Sequence, residues 1–213
     1  MNNRFCHIAG AGDFYGIEFA PKQNDFVIAA DGGLRYLEQE QIKVDLVIGD
    51  FDTLKCEPNH PNVIKLNSQK DDTDTLAAVR EGIKLGYKKF FLYACTGGRI
   101  EHTIANIQVL TFLAENDMQG FLFDKENILT VITNKTITFP PHDNGFLSIF
   151  SLSNQSSGVF LKDVKYELNN ATVTNIFPIG VSNEFIGKQS TITVDNGTLL
   201  IIFPKKYKED ILL

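Results

Sequence analysis

Apolar residues along the first 120 positions come in two alternating rhythms. Short continuous runs, "RFCHIAGAG", "DFVIAAD", "DLVIGD" and "KKFFLYAC", read as buried strands. Between them lie stretches with helical spacing: "GGLRYLEQEQI", "TDTLAAVREGIKLGY" and "TIANIQVLTFLAEND". In the second of these Leu76, Val79, Ile83 and Tyr87 are spaced for one helical face. Strands alternating with helices predict an α/β fold, a largely parallel sheet with flanking helices. Ligands of such sheets bind beyond the carboxyl ends of the strands. Asp31, Asp50 and the "TGGR" loop at 96–99 all fall at those ends.

From about residue 120 the rhythm changes. "GFLFDKENILTVIT", "KTITFP", "GFLSIFSLS", "GVFLKDVKYEL", "ATVTN" and "QSTITVDNGTLLIIFP" are β-branched and aromatic runs punctuated by Gly, Asn, Asp and Pro. They predict an antiparallel sandwich or barrel with "VDNGTL" as a hairpin turn, and no helix after residue 118. The expected division is an N-terminal α/β domain over 1–135 and a C-terminal β-sandwich domain over 140–213. The boundary falls within 133–144, around "NKTITFPPHDNG".

The whole chain, 213 residues with 43% hydrophobic content, has enough apolar material for a core. Its net charge of −6 argues against a nucleic-acid partner, yet leaves room for a nucleotide carried with a metal ion. Cys6, Cys56 and Cys95 have no metal-like spacing and predict reduced, mostly buried thiols. No run is long enough for a signal peptide or a membrane span, so a cytoplasmic location without a membrane partner is expected.

Aspartates gather at two points of this sheet edge. "VIGDFDTL" delivers Asp50 and Asp52 to the end of a strand, two residues apart, so that in extended backbone both side chains leave on one side. "KDDTDTL" crowds Asp71, Asp72 and Asp74 at a helix start, where the dipole favours negative charge and Thr73 or Asp72 can cap. A turn and a cap account for either stretch alone. Both at one sheet edge favour a hard cation, since carboxylate oxygens together with substrate phosphates suit Mg²⁺.

Glycine loops lie at the same edge: "GAGD" at 10–13, "DGG" at 31–33 and "TGGR" at 96–99. Glycines let backbone N–H groups approach phosphate, although no P-loop motif is present. Arg99 suits either a phosphate clamp or a solvated helix entry. For His102 a capping or packing role is the simpler reading of "GGRIEHTIANIQ".

Taken in order, "ADGGLRYL", "VIGDFDTL", "QKDDTDTLAAV", "GGRIEHTIANI", "GVFLKDVKYEL" and "GVSNEF" closely resemble the thiamine pyrophosphokinase (thiamine diphosphokinase) family over nearly the full length. The resemblance implies an enzyme that transfers the β,γ-pyrophosphoryl group of ATP to thiamine, with Mg²⁺, giving thiamine diphosphate and AMP. It implies an α/β domain followed by a β-sandwich, and a homodimer whose active sites are shared between subunits. Asp50, Asp52, Asp71 and Asp74 would be the catalytic and Mg²⁺-binding carboxylates, with Gln69 and Thr73 in the same shell. Asp31, Gly32, Arg99 and His102 would lie around the nucleotide, and Ser182 and Asn183 would face thiamine. This chain departs from the family pattern at Thr53 for serine, Glu101 for aspartate and Asp163 for glycine. It has no tryptophan, so a ring stacked on thiamine would be Phe or Tyr.

Two rivals remain at this stage. "DFDTL" approximates the motif of haloacid-dehalogenase-type phosphatases, but Leu54 stands where Thr or Val belongs and the motif ends the third strand. A non-catalytic nucleotide or thiamine sensor would share the fold, and loss of a carboxylate would mark it. All four are present.

Overall fold

The computed structural model describes residues 4–51, 58–67 and 72–212. The chain forms two compact units, one running to Leu110 and taking in Asp117–Asp124, the other comprising Thr111–Asn116 and Lys125 onward.

In the first unit, β1 (Cys6–Ala9), β2 (Phe26–Ala30), β3 (Leu46–Gly49), β4 (Val63–Lys65), β5 (Lys89–Tyr93) and β6 (Gln119–Phe123) form a parallel sheet in the order β6-β5-β1-β2-β3-β4. The four strands read from apolar runs are all present; β4, three residues long, was not foreseen. "GFLF" in β6 pairs parallel to β5 rather than joining the antiparallel part, so the division by contacts falls after Asp124, ahead of the expected 133–144.

Helices α1 (Gly33–Gln39), α2 (Asp74–Lys84) and the part of α3 (Ile100–Glu115) up to Leu110 complete the unit. On one face, Leu34 and Leu37 of α1 bury against Ala9, Val27, Ala29, Val47 and Phe51. On the other, α2 meets the sheet through Ala78, Val79 and Gly82. The expected stripe does not form: Leu76 and Ile83 are only partly buried, and Tyr87 lies past the helix end. Small residues win because they let the helix approach closely. A Cβ on Gly82 would stand 2.7 Å from the Phe90 ring and 2.9 Å from Cys6 Sγ. Cys6 and Cys95 are buried free thiols, as expected; Cys56 lies outside the described residues.

The second unit holds β7 (Asn127–Thr133), β8 (Thr136–Phe139), β9 (Phe146–Ser151), β10 (Gln155–Lys162), β11 (Leu168–Thr174), β12 (Asn183–Glu184), β13 (Ser190–Asn196) and β14 (Thr198–Pro204). They pair antiparallel in two sets, β12-β9-β14-β7 and β11-β10-β13-β8. Alternate residues turn inward, as Leu147 and Ile149 do on β9 and Ile192 and Val194 on β13. Phe139 meets the rings of Phe185 and Phe203 edge-on at 5.5 and 5.0 Å.

Two expectations for this half are corrected. "VDNGTL" is no hairpin, because β13 and β14 belong to different sheets and do not pair. Gly197, at φ 126°, carries the chain from one sheet to the other, and its N–H donates to Asn134 Oδ1 at 2.8 Å. Residues Lys205–Leu212 form a 3-10 segment where no helix was expected. His142 anchors it, stacking on Tyr207 with ring centroids 3.5 Å apart and pairing with Asp210 at 2.6 Å.

Candidate active site

Several strands of the parallel sheet end in a sharp left-handed step. Asp31 follows β2 at φ 47°, Phe51 comes two residues after β3 at φ 62°, and Ala94 follows β5 at φ 51°. Non-glycine residues in this region each cost on the order of 1–3 kcal/mol and gather at functional sites. Phe51 shows what enforces one step: its ring is buried among Val27, Leu34 and Val47. The backbone at Phe51 is therefore not extended. The expected same-side pairing of Asp50 with Asp52 lies outside the described residues.

A cleft of about 570 Å³ opens at these strand ends. Asp31, Asp50, Thr73, Asp74, Arg99 and His102, all expected at the site, line it together. Gly32 does not; it stands behind the cleft as the buried N-cap position of α1. Asp52, Gln69 and Asp71 lie outside the described residues. Ser182 and Asn183 belong to the second unit.

Each cleft residue is set by local structure. Asp31 is 5% exposed, and its Oδ1 has no hydrogen-bond partner among the described residues. Such a buried acceptor without a donor is costly and marks a place for a ligand or water. Gly49 allows this crowding, since a Cβ there would sit 3.1 Å from the Asp31 Cα. Thr73 caps α2, its Oγ1 accepting from the Leu76 N–H at 3.2 Å, which leaves Asp74 as the first helical residue. Asp72 pairs instead with Arg80 at 2.7 Å. His102 is exposed on the first turn of α3, so the packing role does not hold. Arg99 is also exposed, with Nε 3.8 Å from Glu101.

The glycines of "GAGD" have a different purpose from the one expected. Gly10, Gly12 and Asp13 donate their N–H groups to the carbonyls of Tyr93, Ala94 and Thr96 at 2.7–2.8 Å. A Cβ on Gly12 would lie 2.3 Å from Thr96 O. These glycines let two chain segments touch, and those amides are not offered to phosphate. "TGGR" keeps its phosphate-facing candidacy, with Gly97 and Gly98 at positive φ in the cleft wall.

Asp13, Tyr36, Cys95, Thr96 and Asn106 also line the cleft and were missed. Asp13 ends the quoted "GAGD" and Thr96 opens the quoted "TGGR"; Tyr36, Cys95 and Asn106 carried no local signal for the site. Tyr36 stacks on Phe14 at 4.8 Å and donates to Gly12 O at 2.9 Å. Thr96 donates to Asp124 at 2.6 Å. Burial pushes the Cys95 thiol up to about 12, so it stays protonated and is no nucleophile.

An acid-lined cleft at the carboxyl ends of a parallel sheet, in a chain that also carries an antiparallel sandwich, defines a protein that handles a small charged ligand such as a phosphate ester. The thiamin pyrophosphokinase catalytic domain model matches residues 19–122, and the thiamin pyrophosphokinase vitamin B1 binding domain model matches residues 134–199. The chain belongs to the thiamin pyrophosphokinase family, and hence to the diphosphotransferases. The thiamine pyrophosphokinase of Bacillus subtilis (strain 168) is 26% identical over 161 residues, covering 72% of this chain and 75% of the relative. Its crystal structure matches the fold with a TM-score of 0.84 at 23% identity, over 94% of this chain and 98% of that one. A thiamin pyrophosphokinase family protein from Enterococcus faecalis gives 0.81 at 26% identity, over 94% and 98%. The phosphatase and sensor readings find no support in these matches.

Proposed function

We propose that this enzyme transfers the β,γ-pyrophosphoryl group of ATP to the hydroxyethyl oxygen of thiamine, giving thiamine diphosphate and AMP. The observation that carries this reading is the convergence of Asp31, Asp50, Asp74, Arg99 and His102 on one cleft. Among the described residues no group of three or more metal-ligating side chains is preformed. Mg²⁺ is held by carboxylate oxygens and completes its shell with substrate phosphates and water. Asp50 and Asp74 would hold it from the cleft wall, together with Asp52 and Asp71. Bound there, Mg²⁺ supplies neutralisation of charge on the transferring phosphate oxygens.

The chain's own groups divide the remaining work. Arg99 presents a planar fork matched to phosphate oxygens. Thr73 accepts a bond from its helix and keeps its hydroxyl proton as a donor to pyrophosphate, with Gln69 in the same shell. Asp31 Oδ1 accepts from a hydroxyl of the nucleotide, with His102 beside it and Gly32 behind the cleft at the start of α1.

Thiamine falls to the second unit, where Ser182 is exposed. Tyr166 is 60% exposed, with Lys165 Nζ 5.4 Å from its ring centroid. A ring face that holds an ammonium suits thiamine's cationic thiazolium, and Tyr166 is the stacking ring in this reading. Phe146, Ile176, Phe177, Ile179, Val181 and Ile186 of the second unit are exposed apolar residues, Ile176 by 88%. They support a homodimer with shared active sites. Among the described residues no helix is long and apolar enough to cross a membrane, which is compatible with a cytoplasmic enzyme.

Incubation with thiamine, ATP and Mg²⁺, followed by separation of nucleotides, tests the reading. AMP and thiamine diphosphate should form in equal amounts, stop with EDTA and resume with Mg²⁺. ADP with thiamine monophosphate, or phosphate released from simple phosphoesters, would overturn it.

A further inference from the structure

Asn183 is buried to 2% exposure, and three of the four hydrogen-bonding positions of its amide are taken within the second unit. Oδ1 accepts from the backbone N–H groups of Tyr166 and Glu184, each at 2.9 Å, and Nδ2 donates to Tyr166 O at 2.7 Å. One planar amide thus grips both polar groups of a single backbone residue, as a neighbouring strand would. It extends a short ladder in which Val164 bridges Phe185 and the Lys165 N–H donates to Glu184 O at 3.0 Å. Lys165 Nζ closes the same turn on Glu184 Oε1 at 2.5 Å. The backbone under Tyr166 is held while its ring stands in solvent.

Both lone-pair positions of Oδ1 and one N–H of Nδ2 are taken, which leaves a single N–H to offer a ligand. We propose that Asn183 is a positioning residue for thiamine, acting through Tyr166 rather than by touching the substrate. The inference rests on the reading of Tyr166 as the ring that stacks on thiamine. A ring carried on a fixed backbone loses less freedom on binding than one carried on a mobile backbone, so the clamp contributes to affinity without a contact of its own.

Steady-state kinetics of the full chain test this with Tyr166→Ala, Asn183→Ala and the double variant. Tyr166→Ala should raise the KM for thiamine by roughly tenfold or more, the order of an aromatic stacking contact, with the KM for ATP unchanged. Asn183→Ala should raise the same constant and add nothing in the Tyr166→Ala background. Because the chain has no tryptophan, Tyr166→Trp gives a single reporter, and its fluorescence anisotropy should fall when Asn183→Ala is added. Additive effects in the double variant would mean direct contact with thiamine and overturn the inference. A lowered melting temperature with unchanged thiamine KM and anisotropy would reduce Asn183 to scaffolding and overturn it too. If Asn183→Ala does not fold, Asn183→Asp takes its place; it keeps the acceptor and loses the donor to Tyr166 O. An unchanged thiamine KM in Tyr166→Ala removes the stacking reading itself, whereas a raised KM with additive Asn183 effects removes only the clamp.

Discussion

The side-chain amide of Asn106, on α3, donates to the carbonyl oxygen of Cys95 at 2.8 Å. Asn106 is itself buried, and Cys95 follows directly on the left-handed step at Ala94. A helix residue therefore holds the loop that carries Thr96, Gly97 and Gly98 into the cleft.

Replacing Asn106 by Ala leaves that carbonyl unpaired in a buried setting. The expected cost is about 1–3 kcal/mol of stability, read by urea denaturation. The KM for ATP should rise with it, because the "TGGR" loop loses its tether. Loss of stability with nucleotide binding intact would separate the loop from the nucleotide site.

Asp74→Asn tests the carboxylate reading more directly. Thr73 supplies the cap, so the helix start survives the change. Turnover should fall by about a hundredfold or more. A stable variant with near-normal turnover would leave Asp74 as an ordinary first-turn acid.

His7 governs a pH effect remote from the cleft. Its ring is buried 3.3 Å from Asp25, and burial lowers its pKa from 6.5 more than Asp25 raises it. Below pH 6.5 the unfolded chain therefore takes up a proton that the folded chain refuses. Stability should fall as pH drops from 6.5 towards the depressed folded value, by at most about 1.4 kcal/mol per pH unit. His7→Gln should flatten that part of the melting-temperature profile; an unchanged slope would assign it to other groups.

Mixing Asp74→Asn chains with Tyr166→Ala chains tests the shared site. Random reassortment of a dimer makes half the molecules mixed, each with one intact site, so activity measured at thiamine well below its KM should recover to roughly a quarter of wild type. No recovery after verified subunit exchange would put both residues in one subunit's site.

Much of this was legible in the sequence because it followed from strong local patterns. Continuous apolar runs gave away β1, β2, β3 and β5, and candidates placed at strand ends shared a cleft because parallel strands all end on one side. What escaped was set by distant contacts. Val63–Lys65 is too short to register. The buried face of α2 was chosen by the room under Gly82, the turn after Asp50 by the burial of Phe51, and the closeness of "GAGD" to β5 by carbonyls some eighty positions away. The Asn-Gly turn pointed to a hairpin by local rule, while Asn134 and the two-sheet arrangement directed it elsewhere. Asn183 drew notice for its motif, but its partner Tyr166 could be found only in three dimensions.

The jump between sheets at Gly197 bears on how the protein emerges from the ribosome. β14 lies between β7 and β9, and its register with β7 runs from Thr198 opposite Thr133 to Pro204 opposite Asn127. Until residue 204 has been synthesised, a nascent chain holds β7 and β9 with open edges facing each other across a missing strand. Such edges recruit other strands, and pairings so distant along the chain form slowly. The last strand of the chain is thus the one that pairs both edges, and their protection during translation falls to whatever meets the chain at the exit tunnel.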